Sequence, residues 1–493
     1  MTDQPTTGDP LPDEHPRAER APEIVDVVVV GGGVAGLVAA RALARDGRSV
    51  VLLEAGAEVG GTVAAATVDG LTVDVGAESF ATRRGTVSAL LNELGLASDV
   101  VLPDPAGAWV QLPGQAIPLP RTGLLGIPGD PRDPALRETL GWAGAARAAL
   151  DLVLPASVGA RASSLGELVR ARMGRRVLDR LVAPVVAGVH SAHPDDVDAD
   201  VVAPGLLAGV ATEGSLAASV RRLRSLAPAG SAVAGIAGGM HRLTAVLRDD
   251  ALRRGVRILT NAPVSRIERR RDLDGAVSSD QWHVDLGDGR SFEPGRVLVA
   301  VPVAELICIF GAAIPSRILD GWPAASSVEL VTLVVDAPDG SAARAGLDAA
   351  PRGTGVLVAP GTPGVRAKAL THMTAKWRWL GESAGGKHVM RLSYGRAGEV
   401  MPRLSDEALR RVAIADASAL LGVPLDDGQV TGFARTRWTN TVPFAARGQR
   451  ARVAAVRAEV AQQPGLEVSG AWIAGTGLAS VVADAEAAAA RLA

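Results

Sequence analysis

Gly31, Gly33 and Gly36 occupy the three fixed positions of a GxGxxG turn, and Glu54 closes the apolar run that follows it. Residues of these types at this spacing bind a dinucleotide rather than react with one. The first glycine permits a tight turn, the second lets backbone approach a pyrophosphate, and the third lets the following helix lie close to a sheet. Gly32, Val34 and Ala35 fill the turn and the helix start, where unpaired N–H groups and the helix dipole face an anion. The Glu54 carboxylate falls at the ~20-residue distance at which an acid holds a ribose hydroxyl pair, and it repels a 2′-phosphate, which disfavours NADP. The βαβ unit alone is compatible with FAD and with NAD. Among reactive groups the chain offers no paired carboxylates, no Ser/His/Asp order and no metal-ligand spacing. His190 and His193 lack an acid or cysteine partner at ligand distance and read as loop residues, so no metal and no catalytic residue is assigned.

The elements that must position this turn are legible around it. Residues 27–30 form a continuous apolar run suited to a parallel strand buried on both faces. Leu37, Ala40, Leu43 and Ala44 keep helical spacing, Gly47 ends the helix, and residues 50–53 make a second strand that closes with Glu54 and Ala55. Gly60 and Gly61 follow, and Asp69-Gly70 between two strand-like runs predicts a hairpin. Residues 85–230, rich in alanine, leucine and arginine at helical spacing, predict a helical insertion, and most arginines of the chain sit on helices that look solvent-exposed. From Gly238 the pattern returns to α/β, with a helix, a strand over 256–269, a hairpin turning at Gly287 to Gly289, and a buried strand over 297–302. Residues 303–435 predict a mixed sheet with helices. The chain ends with a strand, a turn at Gly475 and Gly477, and a helix whose start is a second place for an anion or polarised ring.

At 493 residues the chain calls for two or three domains. Its net charge of -2, with basic residues scattered, disfavours nucleic acid. The single cysteine, Cys308, excludes an internal disulfide, and its apolar setting, LICIF, predicts burial. The acidic, proline-bearing N-terminal segment predicts a disordered tail over 1–23 rather than a signal or transit peptide. No run reaches the ~18 uncharged apolar residues of a membrane span, so a soluble protein is expected. Lys368, Lys376 and Lys387 are the only lysines, an arginine bias that reads as GC-rich coding.

Gly60-Gly61 after the Glu54 strand, the hairpin behind it and the C-terminal glycine turn together resemble the FAD-containing amine-oxidase superfamily. Within it, the chain is similar to the protoporphyrinogen/coproporphyrinogen oxidases of haem biosynthesis over nearly all of its length beyond the tail. The resemblance is carried by GAESF at 76–80, LGL at 94–96, IPLP then GIP within 117–128, GTGVLVAPG at 353–361, KALTHMTAKWRW at 368–379, RLSYGR at 391–396, and RW followed by a proline within 437–443. The fold class this implies is α/β: a Rossmann-like FAD domain from 24–84, 231–302 and 436–493, a helical insertion over 85–230, and a mixed-sheet substrate domain over 303–435. It implies FAD as cofactor, with pyrophosphate on the Gly31 to Gly36 turn, adenosine on Glu54 and Ala55, and adenine near Val264. Gly61, Thr62, Gly76, Ala77, Glu78 and Ser79 would approach the flavin end, and Trp438, Thr476, Gly477 and Leu478 would complete its pocket. Where many relatives carry a tyrosine and a histidine, this chain has Val442, Pro443 and Phe444, then Gly448 and Gln449, so no catalytic role transfers there.

The activity implied is hydride removal from a methylene bridge of a reduced tetrapyrrole, with loss of a pyrrole proton, in three two-electron rounds that end in the porphyrin. Molecular oxygen is the implied acceptor and hydrogen peroxide the product. A porphyrinogen carries propionates, which guanidinium and ammonium groups bind best. Arg83 and Arg84, directly after GAESF, and Lys376, within a family motif, are the substrate candidates. The arginine-rich composition suggests an actinobacterial source, and four propionates suit a cationic pocket, so coproporphyrinogen III is expected over protoporphyrinogen IX. A flavin amine or carotenoid oxidoreductase is the alternative. The expected partners are the small-molecule substrate, oxygen and, transiently, the next haem-pathway enzyme, in the cytoplasm or peripheral to the membrane.

Overall fold

The computed structural model describes residues 21–82, 85–120, 123–190, 192–226, 233–271, 277–310, 322, 326–396, 403–441 and 446–493. The N-terminal tail up to residue 20, Arg83, Arg84, Val442, Pro443 and Phe444 lie outside the described residues.

Two seven-stranded sheets carry the architecture. In the first, Glu23–Val30 lies between Val50–Leu53 and Ser291–Val299, parallel to both, with Val27 opposite Val50 and Val28 opposite Val297. Arg257–Leu259 extends the parallel array beyond Val50–Leu53, and Leu466–Val468 joins it alongside Ser291–Val299. Val277–Leu286 and Val264–Arg271 continue the sheet antiparallel. The continuous apolar run of the first strand follows from burial on both faces. Val27, Val29, Val50 and Leu52 enter one core with helices Val34–Leu43, His241–Arg253 and Leu478–Leu492, whereas Val28, Val30, Val51 and Leu53 enter another with Phe310, Val456 and Trp472. Ala39, Ala40, Ala485 and Ala488 are wholly buried in the first core, where small side chains let helices 34–43 and 478–492 pack closely.

The predicted strand over 256–269 is instead two strands. Asn261 at positive φ and Pro263 break it into Arg257–Leu259 and Val264–Arg271, which sit at opposite edges of the sheet. The Asp69-Gly70 hairpin forms as its sequence requires, with Val68 opposite Leu71 and both turn residues at positive φ.

The second sheet runs Val430–Thr441, Ser326–Val335, His388–Tyr394, Ala369–His372, Gly355–Val358, Trp109–Leu112, Gln115–Pro118. Val331, Leu333, Leu392 and Tyr394 face helix Asp406–Leu421 in a closed core. The opposite face carries Leu330, Thr371, Arg391, Ser393, Thr436 and Trp438, most of them half-buried. Sheet pairing redraws the expected insertion. Residues 109–118 were expected within it but form two strands of the second sheet, because Val356 pairs in parallel with Trp109 across the sequence. Helix Thr86–Glu93 packs into the first core, and strand Val100–Val101 pairs with Val233–Ile236. The helical lobe proper therefore spans about 123–226, with its own core of Leu168, Val169, Leu181, Val210 and Val220.

Two expectations are corrected by burial. Cys308 is exposed, because helix Val303–Phe310 buries Leu306, Ile309 and Phe310 and turns Ile307 and Cys308 outward. Among the arginines expected on helix surfaces, Arg41 and Arg172 are buried in ion pairs. Among the described residues, no helix is long and apolar enough to cross a membrane.

Candidate functional site

The parallel strands of the first sheet share one direction, so the residues after their carboxyl ends gather along one edge, the place where α/β sheets bind ligands. Each motif glycine shows a different constraint there. Gly31, at φ 101, sends its N–H to the Leu53 carbonyl at 2.8 Å and leaves no room for a side chain against the Ala300 carbonyl. A Cβ on Gly36 would lie 1.8 Å from the Gly31 carbonyl oxygen. Gly33, in contrast, precedes helix Val34–Leu43 and would meet nothing within 4 Å. Across the cradle Gly477 precedes helix Leu478–Leu492 in the same way, equally open, with Thr476 exposed beside it. Two packed helices thus present amino ends whose fronting residues leave space for an anion, and a pyrophosphate fits that cradle.

Glu54 lies at one end of this edge. Its Oε2 accepts the Gly32 N–H at 2.6 Å and its Oε1 the Gly56 N–H at 2.7 Å, so the carboxylate ties the glycine turn to the loop after the second strand. Asn261 and Ala262 donate backbone N–H groups to the carbonyls of Gly56 and Glu54. The half-buried Val264, two residues further, and the exposed Ala55 therefore stand beside the expected adenosine end.

From Gly33 the contacts lead to the other end. A Cβ on Gly61 would sit 3.2 Å from the Gly33 Cα, and the Thr62 carbonyl accepts the Ala77 N–H at 2.9 Å. Gly76 passes so close to that carbonyl that a Cβ there would lie 1.9 Å from it and 3.4 Å from the Trp438 ring. Trp438 Nε1 donates to the Val75 carbonyl at 2.8 Å, and Arg391 Nη1 donates to the Gly76 carbonyl at 2.8 Å. Glu78 receives Lys376 Nζ on Oε1 and lies 2.8 Å from Arg391 Nη2 through Oε2, an ion-pair contact outside hydrogen-bond geometry. Burial opposes charge on Glu78, yet Arg391 and then Lys376 outweigh it and hold the carboxyl down to about 2. Lys376, expected to meet substrate, is engaged by Glu78.

Arg391, within RLSYGR, is a site residue to which the motif by itself assigns no role. Its signal was the alternation of strand His388–Tyr394, which turns Arg391 away from the closed core of Leu392 and Tyr394. A buried histidine pair likewise has no local signal in the sequence. His372 Nε2 lies 3.1 Å from His388 Nδ1, and His388 Nε2 lies 3.0 Å from Asp348 Oδ1. His193, read as a loop residue, accepts the Asp195 N–H through Nδ1, and the described residues hold no cluster able to bind a metal.

Burial, and then the neighbouring His388, push His372 down from 6.5 to about 4. The unfolded chain therefore binds this proton more readily than the folded one. His372 contributes stability that is complete above pH 6.5 and lost as pH falls to about 4. The full loss is roughly 3 kcal/mol. Urea unfolding of the His372→Gln variant should show a shallower pH dependence than the parent in that window; parallel curves would refute the assignment.

The sequence profile of the flavin containing amine oxidoreductase family matches residues 34–493. A coproporphyrinogen III oxidase of Mycobacterium leprae is 29% identical over 465 residues, which cover 93% of this chain and 96% of that protein. One from Bacillus subtilis is 24% identical, covering 94% of this chain and 96% of its own. Among solved structures, a protein assigned as a protoporphyrinogen oxidase, from Exiguobacterium sp. 255-15, superimposes with a TM-score of 0.81 at 25% identity, over 96% of this chain and 99% of that one.

Proposed function

The chain belongs to the flavin containing amine oxidoreductase family, and on that premise we propose that it oxidises coproporphyrinogen III to coproporphyrin III, with oxygen as acceptor and hydrogen peroxide as product. It is an FAD-dependent oxidoreductase. The observation that carries the substrate reading is that relatives named for this activity align over nearly the whole chain.

Bound FAD supplies the hydride acceptance that no side chain here can provide. The protein's own part is to hold and orient. Gly31, Gly32, Gly33, Val34, Ala35 and Gly36 would take the pyrophosphate, Glu54, Ala55 and Val264 the adenosine, and Gly61, Thr62, Gly76, Ala77, Glu78, Ser79, Trp438, Thr476, Gly477 and Leu478 the flavin end. The half-buried face of the second sheet, which carries Thr371, Ser393, Thr436 and Trp438, would flank the tetrapyrrole. Arg83 and Arg84, adjoining the 76–79 loop in sequence, would bind propionates, as would Lys376. Hand-over of product to the next haem-pathway enzyme through a transient contact fits this reading.

The test is anaerobic mixing of the yellow holoprotein with candidate reductants. Coproporphyrinogen III should bleach the flavin faster than protoporphyrinogen IX, and in air porphyrin fluorescence should rise above the spontaneous rate with stoichiometric peroxide. Faster bleaching by protoporphyrinogen IX would overturn the substrate, and bleaching by amines alone would overturn the reaction.

A further inference from the structure

Glu78, Lys376 and Arg391 form a nearly buried charge group whose members come from two bodies of the fold. Glu78 stands on the loop that follows the first hairpin, whereas Arg391 lies in a strand of the second sheet and Lys376 in the short helix Met373–Lys376 at that sheet's end. Their side chains are 10%, 11% and 15% exposed. Two cations share one carboxylate, and among the described residues their ion pairs include no second acid. Asp74, the next acid along the chain, is committed elsewhere. Its carboxylate accepts the N–H groups of Met240 and His241 and faces the His241 ring, so Arg391 reaches only the Asp74 carbonyl. The group therefore carries a surplus of positive charge where little water screens it. It is fastened directly to the loop proposed to line the flavin end, since Arg391 also holds the Gly76 carbonyl.

We propose that this surplus charge sets the reduction potential of the bound FAD, with Lys376 and Arg391 supplying the charge and Glu78 limiting it; the proposal rests on the FAD placement given above. A hydride brings two electrons and one proton, so its arrival on a neutral ring system adds one negative charge to the site. A fixed positive charge nearby favours that arrival, and a fixed negative charge opposes it. Glu78 is here a positioning residue as well as a charge, because it ties the 76–79 loop to the second sheet.

The two roles separate experimentally, because Glu78→Gln and Lys376→Met break the same contact but change the charge in opposite directions. In the reconstituted holoprotein, dye-equilibrated titration should give a potential raised in Glu78→Gln and lowered in Lys376→Met. Each shift should be about tenfold in the two-electron reduction equilibrium, or about 30 mV. Lys376→Arg, which keeps the charge, should stay near the parent. Lys387→Met should too, since Lys387 and its partner Asp69 stand at the tip of the hairpin, more exposed to water and away from the 76–79 loop. Shifts in the same direction, or none, would overturn the proposal and leave only a structural clasp. If Glu78→Gln does not fold, Lys376→Met against Lys376→Arg decides alone: a potential lowered in the first and not in the second supports it, and equal potentials refute it. Failure of the substrate reading looks different, as opposite potential shifts would persist in a holoprotein that coproporphyrinogen III does not reduce.

Discussion

Gly36→Ala should yield protein that is destabilised and colourless, whereas Gly33→Ala, three residues earlier in the same motif, should fold normally and bind FAD weakly. At Gly36 the added methyl would lie 1.8 Å from the Gly31 carbonyl oxygen, far inside any real contact. Relief requires helix Val34–Leu43 to move off the strand before it. That helix is locked against helix Leu478–Leu492 through wholly buried alanines, so the movement opens the core of the first body. Overpacking of this kind costs about 1–3 kcal/mol or more. It also displaces the helix start that should face the pyrophosphate. At Gly33 a methyl meets no protein atom within 4 Å, and the backbone there, φ -69 and ψ -178, suits alanine. What the methyl would meet is the ligand. The apoprotein melting temperature should therefore be unchanged in Gly33→Ala while FAD affinity falls at least about tenfold, the effect of losing ~1.4 kcal/mol. Equal thermal stability and equal flavin content in the two variants would remove the distinction drawn here between a glycine kept for packing and one kept for ligand approach.

The second large effect lies far from the cofactor cradle. Arg172 and Asp151 are fully buried in the helical lobe and joined from Nε to Oδ1 at 2.6 Å. The remaining guanidinium donors reach the carbonyls of Asp151, Pro155 and Gly214. Asp151 in turn accepts the Leu216 and Ala217 N–H groups at the start of helix Leu216–Ser225. Removing the cation leaves the buried carboxylate without its counter-charge and frees four carbonyls at once, that of Val158 included. Arg172→Ala should cost about 3–5 kcal/mol, the range for breaking a buried pair from one side. Arg172→Lys should recover little, because an ammonium cannot reproduce the planar fork. Urea unfolding of the apoprotein measures both; a loss below about 1 kcal/mol for Arg172→Ala would mean that the lobe rearranges around the gap.

The helical spacing that made Arg172 look like a surface residue was itself correct, and the error came from its partner. Leu168, Val169 and Met173 mark the apolar side of its helix, and Arg172 points into that side only because Asp151, on a preceding turn, waits there. Nothing local in LVRARM distinguishes it from Arg170, which pairs at the surface with Asp195. Cys308 shows the converse. An apolar run promises burial, but a helix has an outward side whatever its composition, and Cys308 occupies it.

What the sequence determined by itself is the part of the protein governed by short-range rules. Tight turns need glycine, strands buried on both faces need unbroken apolar runs, and a helix against a sheet needs a residue without a side chain; each leaves a mark within a few positions. The βαβ unit from residue 24 to Glu54, the three separate constraints on its glycines, the Asp69-Gly70 hairpin and the C-terminal helix start were legible for that reason. Tertiary structure alone decided the pairings between segments hundreds of residues apart. It sent Trp109–Leu112 alongside Gly355–Val358, split residues 256–269 between two sheet edges, and brought Lys376 and Arg391 onto Glu78. A charge discloses its type in the sequence but not its partner, because the partner is chosen by which distant segments the fold brings together.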